Sequence, residues 1–128
     1  MKSHLKKISI GIMSLEDYKN RTIAIARGEY RPQKDEPKIW FRSIKSLAYI
    51  LSEENQRLLK LIITQKPQSV SELEPLTGRK ANNLLRTLRT LEQYGFVNLI
   101  KGKIGERGRT PLIPEVLCDI ANVQIHLH

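Results

Sequence analysis

Cysteine, tryptophan and acid are what this 128-residue chain has least of: one Cys, one Trp, and 13 Asp plus Glu against 22 Lys plus Arg. The single thiol, Cys118, excludes an intrachain disulfide framework and a thiol-rich metal site, and suits a reducing compartment. Nothing beside it would activate it, so it reads as a small buried or half-buried residue. The three histidines, His4, His126 and His128, all lie near the ends. His126 and His128 would share a strand face and could meet a metal together with His4, but a polar edge is the plainer reading, and no metal is expected. Glycine-rich phosphate loops, an activated serine and paired carboxylates are all missing, so neither catalysis nor a cofactor is expected. No run approaches the roughly 18 apolar residues of a membrane span. The start, MKSHLKKISIGIM, imitates a secretory leader, yet its apolar core is short and SLEDY follows at once. The expectation is a soluble, cytoplasmic, non-enzymatic protein of single-domain size.

The scarcity of acid leaves a net charge of +9, which favours polyanionic partners. It is unevenly spread. Residues 1–38 hold nine basic and five acidic side chains, residues 39–78 five and four, and residues 79–109 eight and two. The excess therefore gathers in the last of these stretches.

Periodicity places the elements. ISIGI alternates Ile8, Ile10 and Ile12, the pattern of a half-buried strand. SLEDYKNRTIAIARGE reads as a helix, capped by Ser14 with Asp17 three residues on and stopped at Gly28. EYRPQKDEPK is a polar connector, and Trp40 and Phe41 would anchor it on the core. Two helices in series come next, capped by Ser43 and Ser52, the second ended by Pro67. Ser69 and Glu72 form an S-x-x-E capping box for a short helix that would bury Leu73 and Leu76, with Pro75 awkward near its end. After Gly78 comes a helix from about Lys80 to Tyr94. FVNLIKGKIGERGRTPLIP then reads as a cationic hairpin with a glycine-rich tip, whose prolines, Pro111 and Pro114, allow only an edge strand on the return. NVQIHLH alternates Val123, Ile125 and Leu127, a second period-two strand.

The helix after Gly78 carries the functional signal. At 100° per residue, Ala81, Leu84, Leu85, Leu88 and Leu91 share one arc, while Arg79, Asn82, Asn83, Arg86, Arg89, Thr90 and Gln93 occupy the other. That outer arc contains no acid, whereas a merely solvated helix face mixes signs. Its residue types are those that reach phosphates and base edges: Arg to guanine, Asn to adenine. A capped helix before it across a glycine turn, a cationic hairpin after it and a further helix over 52–64 together spell a winged helix-turn-helix. The expected fold is mainly α with a small β component, an α+β chain. Residues 1–38 would form a dimerisation extension, 39–116 the winged helix-turn-helix, and 117–128 a C-terminal strand extension.

LLKLIITQKPQSVSELEPLTGRKANNLLRTLRTLEQYGFVNLIKG resembles the winged-helix DNA-binding domains of MarR/ArsR-like bacterial and archaeal regulators. SLEDYKNRTIAIARGE, EPKIWFRSIKSLAYILSEEN and TGRKANNLLRTLRTLEQYGFV are similar to a small family of transcriptional regulators of this class, in which a helix of the form SLEDFxxRTxxIARGE precedes the winged helix. The resemblance implies a dimeric repressor of double-stranded DNA with Lys80 to Tyr94 as recognition helix. Asn82, Asn83 and Arg86 are the expected base contacts, and Arg79, Lys80, Arg89 and Thr90 the expected phosphate contacts. Lys101, Lys103, Arg107 and Arg109 in the wing would meet backbone or minor groove. An antitoxin that masks a cognate toxin and autoregulates its operon is the alternative.

Overall fold

The structure is a computed structural model that describes residues 6–104, 108 and 110–127. The fold is α+β, and its chain divides into two compact units, residues 1–49 with 118–128, and residues 50–117. No helix among the described residues is long and apolar enough to cross a membrane.

In the first unit, β1 (Lys7–Ile12) is the middle strand of a three-stranded sheet, with β2 (Ile39–Phe41) and β5 (Ile120–Ile125) parallel on either side. Parallel neighbours need a crossover, and α1 (Leu15–Ala26) supplies it between β1 and β2. Ser14 caps α1 by accepting the Asp17 N–H at 3.1 Å, and Gly28 leaves it at φ +75°. Ile10, Ile12 and Phe41 share one face of the sheet and are buried. On the other face, Gly11 is opposite Trp40, and a Cβ there would come within 2.3 Å of the indole ring. Only glycine lets that ring lie flat on the strand. The chain then turns through α2 (Ile44–Ile50), whose Ser43 cap accepts the Ser46 N–H at 3.1 Å.

Arg21 locks the helix side of this unit. Its guanidinium pairs with Glu36 at 2.7 Å and lies 5.0 Å from the Trp40 ring and 5.7 Å from Tyr30. Glu36 also accepts from the Tyr30 hydroxyl and from the Gln33 N–H. The Gln33 N–H and the Arg21 charge hold its carboxyl below the usual range, against an opposing push from burial. Trp40 meets the His126 ring edge-on at 4.9 Å.

The second unit runs from α3 (Glu53–Gln65), capped by Ser52, through α4 (Glu74–Thr77) and α5 (Ala81–Gln93) to an antiparallel pair, β3 (Val97–Lys101) with β4 (Leu112–Val116). Leu58, Ile62, Leu73, Leu84, Leu88, Leu91, Phe96 and Val97 are all buried, and each large side chain so buried stabilises by roughly 1.5–3 kcal/mol before entropy is counted. Val70 N–H donates to the Leu112 carbonyl at 3.0 Å, tying the segment before α4 to β4.

Three features depart from the sequence-based expectations. Pro75 lies in the first turn of α4, where no helical partner needs its missing N–H, so it starts the helix rather than bending its end. The capping box at Ser69 instead serves a 3-10 turn, Ser71–Leu73. Leu73 is fully buried, but Leu76, three residues on, is 49% exposed. Finally, residues 39–49 group with the first unit rather than with the second, because Ile39 to Phe41 hydrogen-bond to β1 as a strand.

Candidate nucleic-acid interface

Helix α5 owes its position to leucines and its start to a borrowed carboxylate. Leu84, Leu88 and Leu91 are fully buried along one side. Lys80 stands at the N-cap without a side-chain cap, and the first helical N–H, of Ala81, donates instead to Glu74 Oε2 at 2.6 Å. Gly78, at φ +73°, makes the tight turn that brings α4 and its Glu74 back to that point. At the far end, Leu99 N–H donates to Glu92 Oε2 at 2.9 Å, so the one acid of α5 is spent on fixing β3.

The opposite side carries the residues expected to bind. Lys80, Asn82, Asn83, Arg86 and Arg89 are exposed, and Thr90 is half-buried with its hydroxyl donating to the Arg86 carbonyl at 3.1 Å. Lys80, Asn82, Asn83 and Arg86 line one open concavity together with Arg79 and Glu54. Asn82 Oδ1 accepts the Asn83 N–H at 2.9 Å, and the side chain is exposed. Lys80, Arg86 and Arg89 have no acidic partner among the described residues.

Arg79 behaves differently from the other cations. It donates through Nε to Asn83 Oδ1 at 2.7 Å and through Nη2 to Thr87 Oγ1 at 2.6 Å, and its Nη1 is 3.5 Å from Glu54 of α3. A planar fork with several fixed donors can bind three groups at once. The side chain is 20% exposed. Arg79 thus splints the N-terminal half of α5 and turns Asn83 so that its amide NH2 remains for a partner. Glu54, Glu74 and Thr87 were not among the expected residues. The Arg79, Asn83, Thr87 spacing of four is a helix-surface signal that could have pointed to Thr87; Glu54 and Glu74 come from other elements and carry no such mark.

The hairpin adds two exposed cations. Lys101 and Lys103 are exposed, and the Gly102 N–H donates to the Pro111 carbonyl at 2.8 Å, closing the strands below the tip. Arg107 and Arg109 lie outside the described residues, as do His4 and His128. His126 rests against Trp40 with its Nε2 at 3.2 Å from Gln124 Oε1. Burial, and then the charge of Asp119, push the Cys118 thiol up, away from the thiolate a nucleophile needs. Among the described residues no three His, Cys, Asp or Glu side chains come together as metal ligands.

The family model for HVO_A0114 matches residues 50–114, just over half of the chain and nearly all of the second unit. The chain belongs to the HVO_A0114 family. No curated protein and no solved structure matches it. The part of this HVO_A0114 chain that the family model spans contains Arg79, the exposed arc of α5, all of β3 and the first three residues of β4.

Proposed function

We propose that the protein is a sequence-specific regulator of transcription that binds double-stranded DNA, a dimeric repressor whose second unit works as a winged helix-turn-helix. The observation that carries this reading is the exposed arc of α5, where Lys80, Arg86 and Arg89 have no ion pair among the described residues and stand beside the exposed Asn82 and Asn83. A helix of this width fits the major groove, where Asn and Arg can form paired hydrogen bonds with base edges. Asn82, Asn83 and Arg86, near the N-terminus of α5, read bases; Lys80 and Arg89 meet flanking phosphates. Lys101 and Lys103 follow the backbone alongside. Arg79 holds the geometry and lends charge at the margin. One such unit covers a short site, so two copies reading a palindrome complete the recognition.

The test is a titration of a labelled fragment from upstream of the gene at several salt concentrations. Affinity should fall steeply with salt, because each neutralised phosphate releases a counterion. Binding indifferent to salt, or a preference for RNA over duplex DNA throughout, would overturn the proposal.

A further inference from the structure

Strand β5 pairs with β1 along one side, and among the described residues no strand lies along its other side. Residues 121–125 are all exposed, with Val123 at 47% and Ile125 at 51%. Exposed strand edges are usually blunted by charge, proline or brevity. The opposite edge, β2, is three residues long and sits between Lys38 and Arg42, and in the other sheet β4 carries Pro114. Residues 120–127, IANVQIHL, contain no Asp, Glu, Lys, Arg or Pro. On a chain of net charge +9, an uncharged edge is where two copies can approach with least repulsion.

The backbone says which groups are free. The N–H of Ile120 donates to Lys6 O, and that of His126 to Ile12 O, both toward the β1 side. Strand geometry alternates with period two, so residues 122 and 124 also turn to β1. Ala121, Val123 and Ile125 therefore present N–H and C=O at the open edge. In an antiparallel pair, residues directly opposite lie on the same face of the sheet, so a two-fold axis normal to the sheet must pass through a residue's own pair or midway between same-face residues. Centring it on Val123 sets Val123 against its copy and Ile125 against Ala121, with both N–H···O=C bonds exchanged in each of these pairs. Asn122 and Gln124 then oppose each other on the other face, two amides within reach of a hydrogen bond.

We propose that two copies of this chain pair antiparallel through β5 about a two-fold axis at Val123, doubling the three-stranded sheet into one continuous sheet. The inference refines the two-copy part of the regulator reading and names the surface that reading requires. Strand addition uses main-chain bonds for affinity and side-chain fit for register; here the Val123 pair and the flanking Ile125–Ala121 contacts provide the fit.

The test measures molar mass by light scattering at micromolar concentration, without DNA, for the native chain, Val123→Lys, Val123→Glu and an equimolar mixture of the two variants. Circular dichroism checks that each variant keeps its secondary structure. The native chain should give about twice 14.8 kDa. Each variant alone should be a monomer, dissociating on the order of 100-fold more readily, because two like charges face each other across the axis. The mixture should recover the dimer, since Lys then faces Glu. Three results would each overturn the pairing: a native monomer, variants as dimeric as the native chain, or a mixture that stays monomeric. A native chain that instead captures a different protein along this edge would also overturn it. Binding to DNA is measured in parallel: a native dimer that ignores DNA refutes the regulator reading alone, and a native monomer that binds DNA refutes the pairing alone.

Discussion

Arg21 in the first unit and Arg86 in the second carry the same charge in different company. Arg21 is enclosed by a carboxylate and two aromatic rings, so its charge is consumed in holding a helix and a connector against a sheet. Arg86 stands on a helix whose leucines do the holding, and its charge is left for solvent or a partner. Arg79 falls between them, bound to its own helix and to α3 yet lining the same concavity as Arg86. Positive charge counted along a sequence therefore overstates what can reach an anion. What matters is how many donors each guanidinium has left once its own fold has been served.

The largest expected effect sharpens this division of labour at the core. Leu88→Ala removes a fully buried side chain from beneath the basic arc and should cost about 2–5 kcal/mol. Urea unfolding followed by circular dichroism measures it. The one tryptophan, Trp40, belongs to the first unit, so its fluorescence should shift less than the helical signal; an equal shift would mean that the two units unfold as one.

The next effect tests the contrast directly. Arg86→Ala should weaken binding to a cognate site by about 1–3 kcal/mol, and random DNA much less, with little change in unfolding. Arg21→Ala should do the reverse, lowering stability by about 1–2 kcal/mol through its lost charged hydrogen bond and ring contacts, with DNA affinity unchanged in the folded protein. If both variants lose DNA binding alike, the distinction between a structural and a free arginine fails.

A smaller effect is expected at Arg79, where Arg79→Lys retains the charge but loses the fork. Random-DNA affinity should stay near native, while discrimination between cognate and random sites falls a few-fold as Asn83 is released. If Arg79→Lys changes neither, its hydrogen bonds do not steer Asn83.

The smallest effect is one of pH and belongs to the first unit. Glu36 has its carboxyl held below the usual range by the Gln33 N–H and by Arg21. The folded chain thus takes up that proton less readily than the unfolded chain. The resulting stability is present in full above the ordinary carboxylate pKa and is lost as pH falls through the lowered folded value. Glu36→Gln should flatten that acid limb of the stability curve, and an unchanged limb would show that other carboxylates govern it.

Much of the local structure is legible in the sequence because it depends on neighbours along the chain. Ser14, Ser43 and Ser52 cap the helices they precede, and Gly28, Gly78 and Gly95 take the left-handed turns that follow helices α1, α4 and α5. Leu84, Leu88 and Leu91 of the apolar arc of α5 are buried where the period of 3.6 places them, while Ala81 and Leu85 at its margin are half-buried. Pro75 departs from expectation for a reason of the same kind: a 3-10 turn of three residues precedes α4, so the α-helix starts later and the proline falls in its first turn.

By itself, then, the sequence determined where α5 begins and ends, which side of it is apolar, and that its other side is cationic, since these follow from spacing along one helix. Only the tertiary structure decided which of those cations remain free. Glu74 reaches the start of α5 across a turn and Glu54 reaches Arg79 from another helix, and contacts between elements leave no periodic trace in the chain. The same holds for the sheet: alternation marked Ile8 to Ile12 and Val123 to Leu127 as strands, the second of which in fact runs from Ile120 to Ile125, but hydrogen bonding between distant segments set β1 in the middle and left β5 at the edge. A strand's period tells which side chains share a face; it does not tell which backbone lies beside it.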